Sequence, residues 1–178
     1  MKIFFYKNKK LISDKKFRNN GFTLIEVLIA CFIISVTTLT LMSAASKGIE
    51  LSSRALRQAQ ASMITEEGVE AVKAIRDADW SNISSLTLNT NYYLSFNTGS
   101  NTWSLSTTPS VNPATPIDGR FTRAIVFSAV YRDGNDDIVA SGSTPDSGTK
   151  RVTVSTSWQS SGETISKDIV FYISDIFN

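Results

Sequence analysis

Residues 21–45 read GFTLIEVLIACFIISVTTLTLMSAA, from Gly21 to Ala45, and from Phe22 onward the only charge among those 24 residues is Glu26. Wound as an α-helix, 24 residues rise about 36 Å, enough to cross a hydrocarbon core of about 30 Å. Before this run, residues 1–21 carry seven basic residues (Lys2, Lys7, Lys9, Lys10, Lys15, Lys16 and Arg18) against one acid, Asp14. A basic flank stays on the cytoplasmic side, so Phe22 to Ala45 reads as a single membrane span with the C-terminal bulk outside. A secretory signal peptide has a shorter apolar run followed by a small-residue cleavage site. Here the small residue, Gly21, comes before the run. A cut after Gly21 removes the charges and leaves the apolar helix on the mature chain, the reverse of the secretory order.

Glu26 is the second anomaly. A carboxylate near the start of a membrane helix costs a few kcal/mol even on lenient insertion scales. One reading keeps it hydrated at the interface. The other gives it a cation, and a cut after Gly21 creates one, the α-amino group of Phe22. That amine lies too close along its own helix to pair well with its own Glu26, so a neighbouring copy is the natural partner. Such a pair fixes axial register during assembly, as buried polar groups do in coiled coils.

The run from Gly21 through Phe22, Thr23, Leu24, Ile25, Glu26, Val27, Leu28 and Ile29 to Ala30 resembles the prepilin cleavage and methylation motif of type IV pilins and type II secretion pseudopilins. The resemblance implies a prepilin peptidase that cuts between Gly21 and Phe22, N-methylation of Phe22, and Glu26 as the assembly glutamate. It also implies other pilin or pseudopilin subunits and an inner-membrane assembly platform as partners. The precursor is expected in the cytoplasmic membrane, and the assembled chain in an extracellular or periplasm-spanning filament. Major pilins often carry a helix-breaking proline in the first half of the helix, where this chain has Ser35, Thr37, Thr38, Thr40 and Ser43. That favours a minor pilin or a pseudopilin, with PilV-type minor pilins the nearest in layout.

Composition closes off other classes. Beyond the leader the chain holds eleven basic and fifteen acidic residues, a net charge of −4. Nucleic-acid binding needs clustered Lys and Arg, so a DNA-uptake role is disfavoured. The chain has no histidine, which removes the commonest general base and metal ligand. Its one cysteine, Cys31, lies in the apolar run and allows no intrachain disulfide. No constellation of reactive groups stands out, and no cofactor is expected. The reading is a structural subunit and not an enzyme.

No proline occurs before Pro109, and the only glycines between Phe22 and Trp80 are Gly48 and Gly68. One helix is therefore expected over 22–79, on the order of 85 Å long, with 22–45 in the membrane and 46–79 amphipathic. Leu56, Ala59 and Met63, then Val69, Val72 and Ile75, mark an apolar stripe on the second part. The charges around them, Glu66, Glu67, Glu70 and Lys73 included, read as a solvated face with local pairs such as Glu70 to Lys73.

After Trp80 the composition shifts to Ser, Thr and Asn, with short alternating runs. Strands are predicted over Tyr92–Phe96, Thr102–Ser106, Phe121–Tyr131, Arg151–Trp158 and Thr164–Ile173. Turns fall at 97–100 and 159–162, and a proline-bearing loop at 107–119. Val152, Val154, Thr156 and Trp158 share one face, and Trp158 reads as core. The last hairpin resembles that of PilV-type minor pilins and I-type minor pseudopilins. The fold class is thus α+β: a long N-terminal helix packed on a C-terminal antiparallel head over 80–178, a pilin fold. One loop, Asp133, Gly134, Asn135, Asp136 and Asp137, gathers oxygen ligands that could suit calcium. It lacks the spacing and terminal glutamate of an EF-hand, and a hairpin turn explains it equally well.

Overall fold

The computed structural model describes residues 23–110, 115–139 and 144–176. The chain divides into two units that meet between Ile49 and Glu50. One long helix, α1, runs from Leu24 to Ala78 and belongs to both. A single turn, α2 (Ser81–Ser84), follows it. Six strands come next: β1 (Asn91–Asn97), β2 (Thr102–Ser106), β3 (Thr122–Arg132), β4 (Ile138–Val139), β5 (Thr144–Ser160) and β6 (Glu163–Ser174). They form one antiparallel sheet in the order β2-β1-β3-β5-β6, with β4 paired to the far end of β3. The expected α+β architecture, a long N-terminal helix followed by an antiparallel sheet, is the one observed.

α1 ends where the chain changes its hydrogen-bond partners. The Asp79 carboxylate accepts from the Ser81 N–H at 2.7 Å, which starts α2 and holds the Asp79 pKa below the usual carboxylate range. Strand ends are set by turn chemistry. Asn97 Oδ1 accepts from the N–H groups of Gly99 and Ser100, closing the β1–β2 turn. Between β5 and β6 the loop is Ser161-Gly162, both at positive φ (54° and 85°), as a tight hairpin with matching twist requires.

In the second unit, residues 50–78 of α1 pack against the inner face of the sheet. The helix side of this contact is made of small residues: Ala61, Thr65, Gly68 and Ala71, with Val72 and Ile75 at its end. Bulk comes from the sheet. Tyr92, Leu94, Ile125, Phe127, Val152, Val154 and Ile173 join Val72 and Ile75 in one apolar cluster. A second cluster gathers Ala61, Phe121 and Trp158, the two rings lying 5.9 Å apart. Val152, Val154, Thr156 and Trp158 are all buried, as their alternation predicts.

Three local expectations are corrected. Leu56 and Met63 are 61% and 70% exposed, and Ala59 is exposed too, so the sheet covers only the later part of that stripe, Val69, Val72 and Ile75. Before Val69 the covered positions are Ala61, Thr65 and Gly68, which are built for close approach instead of apolar area. Strand β5 starts at Thr144, seven residues before Arg151. Pro145 and Gly148 hid this extension: Gly148 sits in a bulge that shifts the register between Ala129 and Val130, and Pro145 pairs with Tyr131 just beyond it. Glu67 is not merely a solvated charge: it pairs with Arg123 across the core.

Candidate functional site

The apolar stretch that decides the reading begins α1. The Thr23 carbonyl accepts from the N–H groups of Glu26 and Val27, at 3.0 and 3.3 Å, and so opens the first turn. Glu26 sits in that turn, where a negative charge is favoured by the N–H groups of the helix start. Gly21 and Phe22, the two residues of the expected cleavage and methylation site, lie outside the described residues.

Over the apolar run from Leu24 to Ala45 the helix keeps its side chains exposed. Leu24 is 78% exposed and Phe32 70%, and every residue of the run from Leu24 to Ala45 is exposed. Its most apolar window of 18 residues has a mean hydropathy of 2.3, by length and composition a helix able to cross a membrane. Hydroxyl residues within it satisfy themselves. Ser35 donates to the Cys31 carbonyl (2.7 Å), Thr37 to Ile33, Thr38 to Ile34 and Thr40 to Val36 and Thr37. These bonds back onto the helix give the hydroxyls of Ser35, Thr37, Thr38 and Thr40 a partner, which suits a polar group in an apolar medium. Ser and Thr in the place of a proline thus leave the helix continuous.

The acidic loop is occupied by its own backbone. Asp133 Oδ1 accepts from the N–H groups of Asn135 (2.9 Å) and Asp137 (3.0 Å), and Asp136 takes positive φ. Arg132 bonds the Asp136 carbonyl at 2.9 Å and the Asp146 carboxylate at 2.7 Å. The Arg132 guanidinium, then the Thr149 hydroxyl, hold the Asp146 carboxyl below its ordinary pKa, and the Arg132 pKa is raised in turn. Among the described residues no three or more His, Cys, Asp or Glu side chains come together to hold a metal ion.

Sequence reasoning missed a polar layer between the two apolar clusters. Arg123 lies opposite Thr156 in the β3–β5 ladder, and its side chain is 2% exposed. It donates to the Ile64 carbonyl and to Glu67, both at 2.8 Å, and its guanidinium lies 6.0 Å from the Trp103 ring. Thr65 donates to the Ala61 carbonyl at 2.7 Å, and its hydroxyl oxygen is hydrogen-bonded with Thr156 Oγ1 at 2.8 Å. Gly68 fits because it has no Cβ: an added one would stand 2.8 Å from Val154 Cγ1 and 2.9 Å from Arg123 Cδ. The available signal was the period of β3, which sets Arg123 on the same face as Ile125 and Phe127.

Residues 16–42 match the family model described as the prokaryotic N-terminal methylation motif. No curated protein and no solved structure matches the chain. The matched residues run from the basic N-terminal segment through Glu26 into the exposed apolar helix, and an antiparallel sheet follows. The chain carries the N-terminal signature of type IV pilins and pseudopilins.

Proposed function

We propose that this protein is a structural, non-enzymatic subunit of a type IV pilus-like filament, a minor pilin of the PilV type. Residues 1–21 are the leader, and a prepilin peptidase removes it by cutting between Gly21 and Phe22 and then methylates the new amine. Residues 22–45 hold the precursor in the inner membrane, 46–79 continue the helix, and 80–178 form the head. An assembly platform draws subunits out of the membrane into an extracellular or periplasm-spanning filament. In that filament Glu26 pairs with the Phe22 amine of a neighbouring subunit.

One observation carries the reading: the methylation motif leads directly into a helix whose large apolar side chains find no cover in their own fold. Burying a Leu, Ile or Phe side chain contributes roughly 1.5–3 kcal/mol, so packing these helices among neighbours supplies most of the assembly free energy. The Glu26 pair then sets register in a place where an unpaired carboxylate is costly. A type II secretion pseudopilin shares this chemistry in a different machine, and the absence of proline from 22–79 suits both.

Intact-mass and N-terminal peptide analysis of the protein from its native host tests the processing. The expected mature chain starts at Phe22 with one methyl on its amine. A chain that still starts at Met1, or one cut near Ala44 or Ala45, sinks the filament reading. Recovery of the processed chain with secretion pseudopilins, and not with pilus fibres, moves it to the secretion machine.

A further inference from the structure

At one end of the sheet, beside α1, a cavity of about 190 Å³ is bounded by Arg54 and Gln58 of α1, Trp158 and Ser160 of β5, and Ile165 and Lys167 of β6. Strand pairing builds it: Trp158 lies opposite Ile165, Thr156 opposite Lys167, and Ser160 opposite Glu163. Its floor is apolar, with Trp158 only 5% exposed and its ring tilted against that of Phe121. Its rim carries donors. Ser160 is 7% exposed, yet among the described residues no hydrogen bond uses its hydroxyl, the Gln58 amide or the Lys167 ammonium. A serine that lines a cavity and whose hydroxyl bonds no protein group is free to bond what the cavity holds. Arg54 is paired with Glu50 at 2.6 Å, but a guanidinium has five N–H groups and one such contact leaves others available.

We propose that this cavity binds the phosphate of an anionic membrane phospholipid. The donors around it are two cations, a hydroxyl and an amide, a set that suits an oxyanion. Trp158 and Ile165 beside them suit the apolar part of the same molecule, a combination that a free inorganic anion does not use. Nine residues separate Arg54 from Ala45, so chain connectivity alone keeps Arg54 within about 30 Å of the end of the apolar run. The proposal rests on that run spanning the membrane, and it adds a second, polar hold on the lipid by the head.

The test uses the full chain in vesicles of phosphatidylcholine, alone or mixed with phosphatidylglycerol. Lysines are acetylated with N-hydroxysuccinimidyl acetate, and peptide mass spectrometry reads Lys167 against Lys73, an exposed internal reference paired with Glu70. Phosphatidylglycerol is expected to lower the Lys167 to Lys73 ratio by about threefold, the protection given by ligand at twice its Kd. Arg54→Gln and Ser160→Ala are each expected to restore the ratio. Arg54 is 52% exposed in its side chain, so its variant keeps the fold even where Ser160→Ala does not. Equal ratios in the two vesicles overturn the proposal, as does protection that survives Arg54→Gln. Equal protection by inorganic phosphate added to phosphatidylcholine vesicles also overturns it and assigns the cavity to a soluble anion. Co-flotation with both vesicles checks the membrane span separately: a chain that floats but shows no protection loses only the lipid site, and one that floats with neither loses both.

Discussion

Between Leu24 and Met42, α1 displays Leu, Ile, Phe and Met side chains to the outside, whereas between Ala61 and Ile75 it buries Ala61, Thr65, Gly68 and Ala71, then Val72 and Ile75. The first stretch leaves bulky residues bare, and the second covers mostly small ones. Hydrophobicity alone predicts the opposite, because area removed from water drives burial. The covered stretch is selected by distance, since small side chains let the sheet bring Phe121, Ile125, Phe127 and Val154 onto the helix. The bare stretch is selected for surroundings other than its own head. Apolar content along one helix therefore separates a surface made for something outside the chain from one made for the chain itself.

The largest effect should come from breaking the covered stretch at its polar layer. Arg123→Ala leaves Glu67 and the Ile64 carbonyl without their donor, and removes packing beside Trp103. A loss of about 4 kcal/mol in head stability by chemical denaturation is expected. Glu67→Gln should cost about 1 kcal/mol, because the Glu67 side chain is 49% exposed and water replaces part of what is lost. A loss for Arg123→Ala as small as for Glu67→Gln would show that the polar layer contributes nothing beyond a surface pair.

The bare stretch is probed by a charge. Ile34→Asp should raise the free energy of membrane insertion by about 3 kcal/mol and reduce the membrane-inserted fraction, while the head's unfolding midpoint stays unchanged. A shift in that midpoint would mean that the two stretches are not independent.

Glycine sharpens the contrast, since α1 has one in each unit. Gly68→Val pushes side-chain atoms into Val154 and Arg123, and a loss of about 2 kcal/mol is expected. A Cβ at Gly48 meets nothing within 4 Å, so Gly48→Val should be neutral or slightly stabilising, because glycine is a poor helix former. Equal effects at the two sites would refute the close-approach account.

The smallest effect concerns the bulge. The folded pKa of Asp146 lies below its unfolded value of about 3.9. Its bond to Arg132 therefore contributes fully above that pH, and the contribution is lost as pH falls through the folded pKa. Asp146→Asn should cost about 1 kcal/mol near neutral pH, discounted because Arg132 is 31% exposed, and the gap to the parent should close in acid. Denaturation curves at several pH values read this directly. A gap that is constant with pH would show that the bond is not what Asp146 contributes.

Some of this was legible from the residues in order. A charge-poor run of 24 residues behind a basic leader, with Glu26 near its start, needs no tertiary contact to be read, because membrane length and charge placement are properties of the chain itself. The alternation of Val152, Val154, Thr156 and Trp158 likewise declared an inward face, since strand period is local. The tertiary structure decided what depends on distance. Which stripe of α1 meets the sheet, why Gly68 must be glycine, and why Arg123 and Glu67 are partners 56 residues apart all follow from how closely a helix lies on a sheet. The same holds for the cavity between Arg54, Ser160 and Lys167, whose residues converge only once β5, β6 and the helix are packed together. Periodicity names a face, and only packing names what that face touches.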